Sequence, residues 1–181
     1  DGHLEKNGNG VRLKIGHGKK QKDYVIWKYN QMQNLVPSPP RSVKEFHKRR
    51  KMFDSSLCFA TFSDLKLLKW RNLFYRDRIK IVPKSIDQIL KSPLALAVWF
   101  MDDGYKRNDC NALRISTDSF SLSEHYLLVN CLKQNFGIQA NIHKKSKAYN
   151  IYIPNKYSKK FCEIIRPHVI DSLLYKVSLT P

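Results

Sequence analysis

Alternation of apolar and polar residues near the start of the chain predicts a β-hairpin. Residues 3–6 and 11–15 alternate in this way, and Asn7-Gly8-Asn9-Gly10 between them is a strong turn signal. A basic loop is expected over residues 16–20. Apolar residues then recur at near-helical spacing over residues 23–35, and Pro37-Ser38-Pro39-Pro40 cannot continue a helix. The pattern therefore predicts a strand pair followed by a helix.

A second strand pair and a second helix follow. The basic stretch over residues 41–52 and the apolar run over residues 57–62 predict another hairpin. Asp64 is a suitable cap for the next helix. An extended segment over residues 79–83 and a short helix or turn over residues 85–90 complete this part of the chain.

The same order of elements returns in the second half. Residues 113–117 predict a strand, and Ser121-Leu122-Ser123-Glu124 is a capping box for a helix that ends at Gly137. A hairpin over residues 139–153 and a helix over residues 156–168 follow. Each half therefore contains a strand pair, a helix, a strand pair and a helix.

A longer spacing supports this repeat. Arg12 lies eleven residues after Asp1, and Arg114 lies eleven residues after Asp103; both aspartates are followed by glycine. The pattern predicts an α+β fold of two pseudo-symmetric halves. We expect these halves to comprise residues 1–90 and 91–181.

An apolar helix precedes the second half. Ser92-Pro93 is a helix start, and the residues from Leu94 to Met101 are apolar, so we expect a helix buried on most faces. It ends at Asp102-Asp103-Gly104. Each carboxylate at a helix C-terminus faces the negative end of the helix dipole, at a cost of roughly 0.3–1 kcal/mol. A bound divalent cation would compensate for this, and Mg²⁺ prefers one or two carboxylates; the alternative is a solvated turn that only ends the helix.

The net charge indicates a polyanionic partner. The 181 residues include 33 Lys+Arg and 15 Asp+Glu, a formal charge of +18. Such an excess on a folded domain repels itself and is typical of nucleic-acid-binding proteins. Duplex DNA is itself nearly two-fold symmetric, which suits a protein that builds the same half twice. A basic surface without catalysis, as in a ribosome-associated protein, is the alternative.

The cysteines and the hydropathy of the chain bear on three points: a structural zinc site, the compartment and a membrane partner. Cys58, Cys110, Cys131 and Cys162 form no CxxC pair, so structural zinc is not expected. Three of them lie in apolar patterns as buried thiols, which fits a reducing compartment, either an organelle or a bacterial cytoplasm. We expect no membrane partner, because no apolar run approaches the ~20 residues of a spanning helix.

The acidic helix end resembles a known motif. Leu96-Ala97-Val98-Trp99-Phe100-Met101-Asp102-Asp103-Gly104 is similar to the LAGLIDADG motif, in the LAxWFMDDG form typical of single-chain homing endonucleases. Leu96, Ala97, Asp103 and Gly104 fall on the first, second, eighth and ninth motif positions. Asp1-Gly2 resembles the end of a first copy, whose helix would precede residue 1. The repeated order of elements also matches the two αββαββα halves of that family.

The resemblance implies a function and its residues. In the family, two motif helices pair at the centre of saddle-shaped antiparallel sheets, and their acidic ends hold divalent metal at the scissile phosphates. Carried over, Asp1 and Asp103 are the ligands of Mg²⁺ or another divalent cation such as Mn²⁺. Lys80 and Lys176 correspond to lysines that poise water or offset charge on the phosphate, although an ordinary surface lysine is the default in so basic a chain. A monomer that cleaves a long asymmetric site in double-stranded DNA and so starts intron homing is expected.

Three further residues lie beside the acidic end. Asp102 does not fall on the usual ligand position, and Gly104 follows the ligand directly. Asp118 stands where many relatives carry glutamine; it either alters metal binding, marks lost activity, or caps the next helix.

The predicted hairpins carry candidate DNA contacts. A two-stranded ribbon fits the major groove, where Arg can read guanine and Asn can read adenine, whereas most lysines contact phosphate. The candidates are His3, Arg12, Lys14, Arg41, Lys44, Lys48, Arg114, Ser116, Asn141, His143, Lys145 and Lys147, with Glu5, His47 and Tyr149 on the same ribbons.

Two other functions stay open at this point. Relatives of this family act as maturases that help group I introns splice, and a basic saddle can also clamp intron RNA. The third possibility is a catalytically inactive nucleic-acid-binding relative.

Overall fold

The computed structural model describes residues 2–47, 51–146 and 148–179. The predicted site residues Asp1, Lys48 and Lys147 lie outside the described residues, and so does the side chain of His47. The chain divides into two compact units, Asp1–Asp77 and Arg78–Pro181. The boundary predicted after residue 90 from the repeat stays a prediction.

The first unit contains a four-stranded antiparallel sheet of order β1-β2-β4-β3. The two-residue turn at Asn7-Gly8-Asn9-Gly10 joins β1 to β2, and Gly8 has the positive φ of 59° that such a turn requires. The helix α1 lies between the two hairpins. The elements are β1 (Gly2–Asn7), β2 (Gly10–Gly18), α1 (Lys22–Gln31), β3 (Arg41–His47) and β4 (Met52–Ala60).

The core of this unit lies between the sheet and α1. Ile15 and Phe59 are directly paired on neighbouring strands, and they pack with Val25 of α1 and with Val36. Directly paired residues share a face of the sheet, so this contact defines the core face of β2 and β4. The opposite side of the sheet is called the first open face below.

A further helix ends the first unit. The helix α2 (Lys66–Phe74) begins where the Asp64 side chain accepts a hydrogen bond from the Lys66 amide at 2.7 Å, as the sequence predicts. None of the residues of α2, all of them described, is buried. The short strand β5 (Tyr75–Arg76) follows at the end of this unit.

The second unit repeats the topology. Its four-stranded antiparallel sheet has the order β7-β8-β10-β9, which is the order of the first sheet. The elements are β6 (Ile79–Lys80), α3 (Ile86–Ile89), α4 (Pro93–Asp103), β7 (Gly104–Lys106), β8 (Leu113–Ile115), α5 (Leu122–Phe136), β9 (Asn141–Lys145), β10 (Ala148–Ile153) and α6 (Asn155–Ile165), followed by 3₁₀ turns at Arg166–His168 and Asp171–Lys176.

Two cap signals fix the ends of α5. Ser121 and Glu124 form the predicted capping box, and the Glu124 carboxylate also accepts from the Val82 amide at 2.7 Å. Gly137 ends the helix with a φ of 64°, in the left-handed region that favours glycine. The core of this unit includes the fully buried Leu113, Ile115, Ile151 and Ile153, which define the core face of its sheet.

The predicted order of elements is confirmed in both halves, but one local prediction is wrong. The expected loop over residues 16–20 is strand as far as Gly18, because β2 pairs with β4 there. The last helix ends at Ile165, and Pro167 lies in the 3₁₀ turn that follows it. The helix α4 is covered on most faces from Leu96 to Met101, as predicted, and its exposed residues lie in the first turn. No helix among the described residues is long and apolar enough to cross a membrane.

Candidate active site and nucleic-acid interface

The acidic end of α4 is held by tight packing. The Gly104 amide donates to the Phe100 carbonyl as the last helical hydrogen bond, and Ser116 donates its amide to the Asp103 carbonyl at 2.9 Å. A Cβ atom at Gly104 would collide with the ring of Phe100, which is fully buried. Position 104 therefore requires glycine, because the Phe100 ring lies against it, and this packing fixes the backbone that carries Asp103.

The carboxyl group of Asp103 sits in an unfavourable place for a negative charge. Burial raises the pKa of Asp103 above its usual value, and the neighbouring Asp102 raises it further. Lys80 and Lys176 oppose this shift because their positive charges stabilise the carboxylate. A partly buried pair of acids at the negative end of a helix dipole is favourable for a cation.

Lys176 is bound to the same helix end. Its ammonium donates to the Met101 carbonyl at 2.6 Å, and the residue is buried. Burial lowers the pKa of Lys176, while Asp102 and Asp103 act in the opposite direction. Lys80 in β6 is exposed by comparison. The second unit thus assembles Asp102, Asp103, Lys80 and Lys176, four of the predicted residues.

The donor set fits a magnesium-type ion. The described part of the chain contains no group of three or more His, Cys, Asp or Glu side chains that could hold a metal. The Asp103 carboxylate would be one of the one or two that Mg²⁺ prefers, because this ion keeps several waters and takes phosphate oxygens from its substrate. Asp1, the predicted ligand of the first half, lies outside the described residues.

Asp118 lies in the turn before α5 and is exposed. It is not the helix cap, because Ser121 fills that position. The turn is anchored by the buried Thr117, whose hydroxyl lies 2.8 Å from His125 Nε2. His125 Nδ1 donates to the Ser121 carbonyl at 2.8 Å, which directs Nε2 towards the Thr117 hydroxyl.

Most predicted contacts of the first half share one face. His3 pairs with Lys14 across β1 and β2, and Arg12 and Arg41 project to the same open face by strand register. Arg12 also forms an ion pair with Glu5 at 2.6 Å. Lys44 pairs with Ser55 on the core side instead, and it does not join the others.

The side of the second sheet opposite its core face, called the second open face, carries four predicted contacts. Arg114 lies on β8, and Asn141, His143 and Lys145 lie on β9; all project away from the core face. Ser116 follows β8 and is exposed.

Three residues of the second open face were not predicted from the sequence, and one residue predicted with the ribbons does not lie on it. Tyr105, Tyr152 and Asn150 lie on the open face, whereas Tyr149 lies on the core side against the ring of His125. Two-residue alternation from the buried Ile151 and Ile153 puts Asn150 and Tyr152 on one face of β10, but only strand pairing places that face beside Arg114 and Tyr105.

Strand register changes the correspondence between the two arginines. Gly2 pairs with Ile15 and His3 with Lys14, whereas Gly104 pairs with Ile115 and Tyr105 with Arg114. Counted from the two glycines, Arg114 therefore corresponds to Lys14 and not to Arg12. The equal sequence spacing did not predict this, because the loop between β7 and β8 has a different length from the turn between β1 and β2.

Comparison with known proteins supports one family. The sequence profile of the LAGLIDADG DNA endonuclease family matches residues 1–161. The cytochrome b mRNA maturase bI2 of Debaryomyces hansenii is 28% identical over 180 residues, which cover 95% of this chain and 66% of that protein. The DNA endonuclease I-ChuI of Chlamydomonas applanata is 29% identical over 196 residues, which cover 98% of this chain and 89% of that protein. This chain thus spans about two thirds of the maturase.

Solved structures agree on the fold. The homing endonuclease I-WcaI bound to its DNA recognition sequence matches all of this chain and 82% of its own, with a TM-score of 0.89 and 23% identity. A variant of I-DmoI in complex with nicked target DNA in the presence of Mn matches 93% of this chain and 89% of its own, with a TM-score of 0.55 and 15% identity. The chain belongs to the LAGLIDADG DNA endonuclease family.

Proposed function

We propose that this protein is a site-specific homing endonuclease that cleaves double-stranded DNA by divalent-metal-dependent hydrolysis of phosphodiester bonds, and that cleavage starts intron homing. The observation that carries the proposal is the acidic end of α4, where burial and Asp102 raise the pKa of Asp103 beside Lys80 and Lys176. A net charge of +18 supplies the attraction for DNA. Both halves of the repeat lie on one chain, so a monomer can act alone.

Each residue has a separate role in this proposal. Asp103, together with Asp1, holds Mg²⁺ or Mn²⁺, and Asp102 strengthens the local negative field. The ion, when bound, supplies charge neutralisation at the phosphate and lowers the pKa of a bound water. Lys80, which is exposed, offsets negative charge on the phosphate. Lys176 holds the end of α4 through Met101 and adds positive charge beside the carboxylates.

The open faces supply the DNA contacts. Arginine and asparagine side chains on a two-stranded ribbon can reach base edges in the major groove, and lysines contact phosphates. Predicted base-edge residues are Arg12, Arg41, Arg114, Asn141 and His143; predicted phosphate contacts are Lys14, Lys48, Lys145 and Lys147, with His3 and Ser116 beside them. Lys44 is not among them, because it lies on the core side of β3.

A cleavage assay tests the proposal. Purified protein is incubated with a duplex isolated from a random pool by repeated rounds of binding, in Mg²⁺ and separately in EDTA. We expect double-strand cleavage at one position in Mg²⁺ and intact duplex in EDTA. Tight binding without cleavage in either Mg²⁺ or Mn²⁺ would instead indicate the inactive relative.

RNA splicing is the second candidate function, because a cytochrome b mRNA maturase matches 95% of this chain. A splicing factor should accelerate excision of its host intron in a purified transcript, and Asp103→Asn should leave that acceleration intact. If the protein accelerates excision but never cleaves the selected duplex, the endonuclease proposal is wrong.

A further inference from the structure

We propose that Arg114 reads a guanine on the second open face and that Tyr152 is the positioning residue for its guanidinium. This inference rests on the proposed function, since it needs duplex DNA on this face. Beyond that function, guanine is assigned as the base that Arg114 contacts, and Tyr152 as the residue that positions the guanidinium.

Strand register builds a row of side chains around Arg114. Arg114 pairs with Tyr105 on β7 and with Tyr152 on β10, and Tyr152 pairs in turn with Asn141 on β9. Directly paired residues lie side by side on one face of a sheet. One arginine therefore stands between two tyrosines in the middle of the open face.

Tyr152 is itself fixed in place. Its ring stacks on the imidazole of His143, with centroids 4.1 Å apart and an interplanar angle of 12°. The Arg114 guanidinium carbon lies 5.9 Å from the centre of the Tyr152 ring, within the range of a cation–π contact. A guanidinium held by an aromatic ring loses less conformational freedom when it binds a ligand.

Two buried polar atoms on this face lack hydrogen-bond partners among the described residues. Arg114 Nε is buried and makes no hydrogen bond with any of them. The same holds for Oδ1 of Asn150, a residue that is 2% exposed and pairs with His143. The protein therefore leaves hydrogen-bonding capacity unused beside the Arg114 guanidinium, which is costly without a ligand.

Charge separates Arg114 from the arginine that matches it in sequence. Arg12 is neutralised by Glu5 at 2.6 Å. Arg114 forms no ion pair with any described residue, and its guanidinium lies near the Tyr152 ring. Arg114 is therefore free to bind an external acceptor, whereas Arg12 must first exchange Glu5.

Guanine is the base that best fits a fixed guanidinium. In the major groove guanine presents two acceptors, N7 and O6, side by side, and a planar guanidinium donates to both at once. Thymine and adenine each present one acceptor there, and cytosine presents a donor. A phosphate also accepts from arginine, but it would do so equally on every sequence.

Selection of binding sites from a random duplex pool tests the inference. Wild-type protein, Arg114→Ala, Tyr152→Leu, Tyr152→Phe and, for comparison, Arg12→Ala are each used, with circular dichroism melts to verify folding. Arg12→Ala should change the selected sequence only at other base pairs. We expect Arg114→Ala to lose roughly tenfold or more of the preference for guanine at one base pair, with other positions unchanged. Tyr152→Leu should lose part of the preference at that same base pair, and Tyr152→Phe should keep it.

His143→Ala provides a second variant in case Tyr152→Leu does not fold. It removes the ring that Tyr152 stacks on without touching Arg114, and we expect a smaller loss at the same base pair.

Each contrary result has its own meaning. Uniform weakening by Arg114→Ala on all sequences would make Arg114 a phosphate contact and overturn the inference. Loss at one base pair with Arg114→Ala, but an effect of Tyr152→Leu elsewhere, would overturn the role of Tyr152. If the wild-type protein selects no duplex sequence at all, the proposed function fails as well, which the first two results do not imply.

Discussion

The two units share a strand order but differ in how their last helices are covered. In the second unit, α6 buries Phe161, Cys162 and Ile165, and Phe161 packs edge-on against Phe100 of α4 with ring centroids 5.1 Å apart. In the first unit, none of the residues of α2, all described, is buried. Phe100 of α4 therefore contributes to the cover of α6, and an equal strand order does not ensure equal burial of the last helix.

The units also differ in the charges on their open faces. The first open face carries its own carboxylate at Glu5, which neutralises Arg12. The second carries Arg114 between two tyrosines, and Arg114 forms no ion pair with any described residue. A repeated fold can therefore present two different recognition surfaces, which suits an asymmetric target.

Covering α2 is the change with the largest expected effect on stability. A chain that carries an apolar helix directly before residue 1 should bury Leu65 and Leu68, which are 66% and 36% exposed here. Fully burying one exposed leucine contributes about 1.5–3 kcal/mol, and the two exposed fractions together amount to about one leucine, so the free energy of unfolding should rise by about 1.5–3 kcal/mol. Urea denaturation of both chains measures this.

Leu68→Ala provides the matching control for that comparison. It should lower the free energy of unfolding by at least about 2 kcal/mol in the extended chain and by much less in the present one. Equal losses in the two chains would show that α2 is not the docking surface.

Replacing the glycine of each Asp-Gly dipeptide should give the next largest difference in stability. Gly104→Ala places a Cβ against the buried ring of Phe100, whereas at Gly2 the nearest atom, on Leu13, is 3.4 Å away. Overpacking costs about 1–3 kcal/mol, so Gly104→Ala should lower the melting temperature clearly and Gly2→Ala should have little effect. A similar shift in melting temperature for both variants would mean that Gly2 and Gly104 are packed alike.

Helix caps should show a smaller contrast. The helix α5 has a capping box at Ser121, while the cap residue of α4, Ser92, makes no side-chain hydrogen bond to its helix. Ser121→Ala should cost about 1 kcal/mol in urea denaturation, and the matched control Ser92→Ala should be close to neutral. If Ser92→Ala destabilises as much, the capping hydrogen bond is not what distinguishes the two serines.

The smallest expected effect is on the pH dependence of stability. Burial lowers the pKa of His143 from its usual 6.5, and the charges of Arg114 and Arg107 lower it further. The folded state then binds this proton less readily than the unfolded state, so stability falls as the pH drops below about 6.5. His143→Phe keeps the stacked ring and should flatten the melting temperature between pH 7 and 5; an unchanged slope would exclude His143 as the cause.

Much of the fold follows from local signals in the sequence. Asn7-Gly8-Asn9-Gly10, Ser121 with Glu124, and Gly137 each specify a turn or a helix end by their own chemistry, and the structure confirms all of them. Strand register is different, because it depends on which residues meet across two strands. Tyr152 and the correspondence of Arg114 with Lys14 could therefore not be derived from spacing along the chain alone.

The candidate site was predictable only in part, for a related reason. The Asp102-Asp103 pair is visible as an acidic end on an apolar helix, and the motif resemblance points to it directly. The hydrogen bond from Lys176 to the Met101 carbonyl joins residues far apart in sequence. No local pattern around Lys176 distinguishes it from the other lysines of so basic a chain.

The rate of cleavage by matched aspartate variants tests the central claim most directly. The selected duplex is incubated in Mg²⁺ with wild-type protein, Asp103→Asn and Asp118→Asn. Loss of the metal ligand should remove several kcal/mol of transition-state stabilisation, so Asp103→Asn should cleave at least about 100-fold more slowly while still binding the duplex, and Asp118→Asn should cleave at a rate similar to wild type. Wild-type cleavage rates for Asp103→Asn would show that the end of α4 does not bind the catalytic metal.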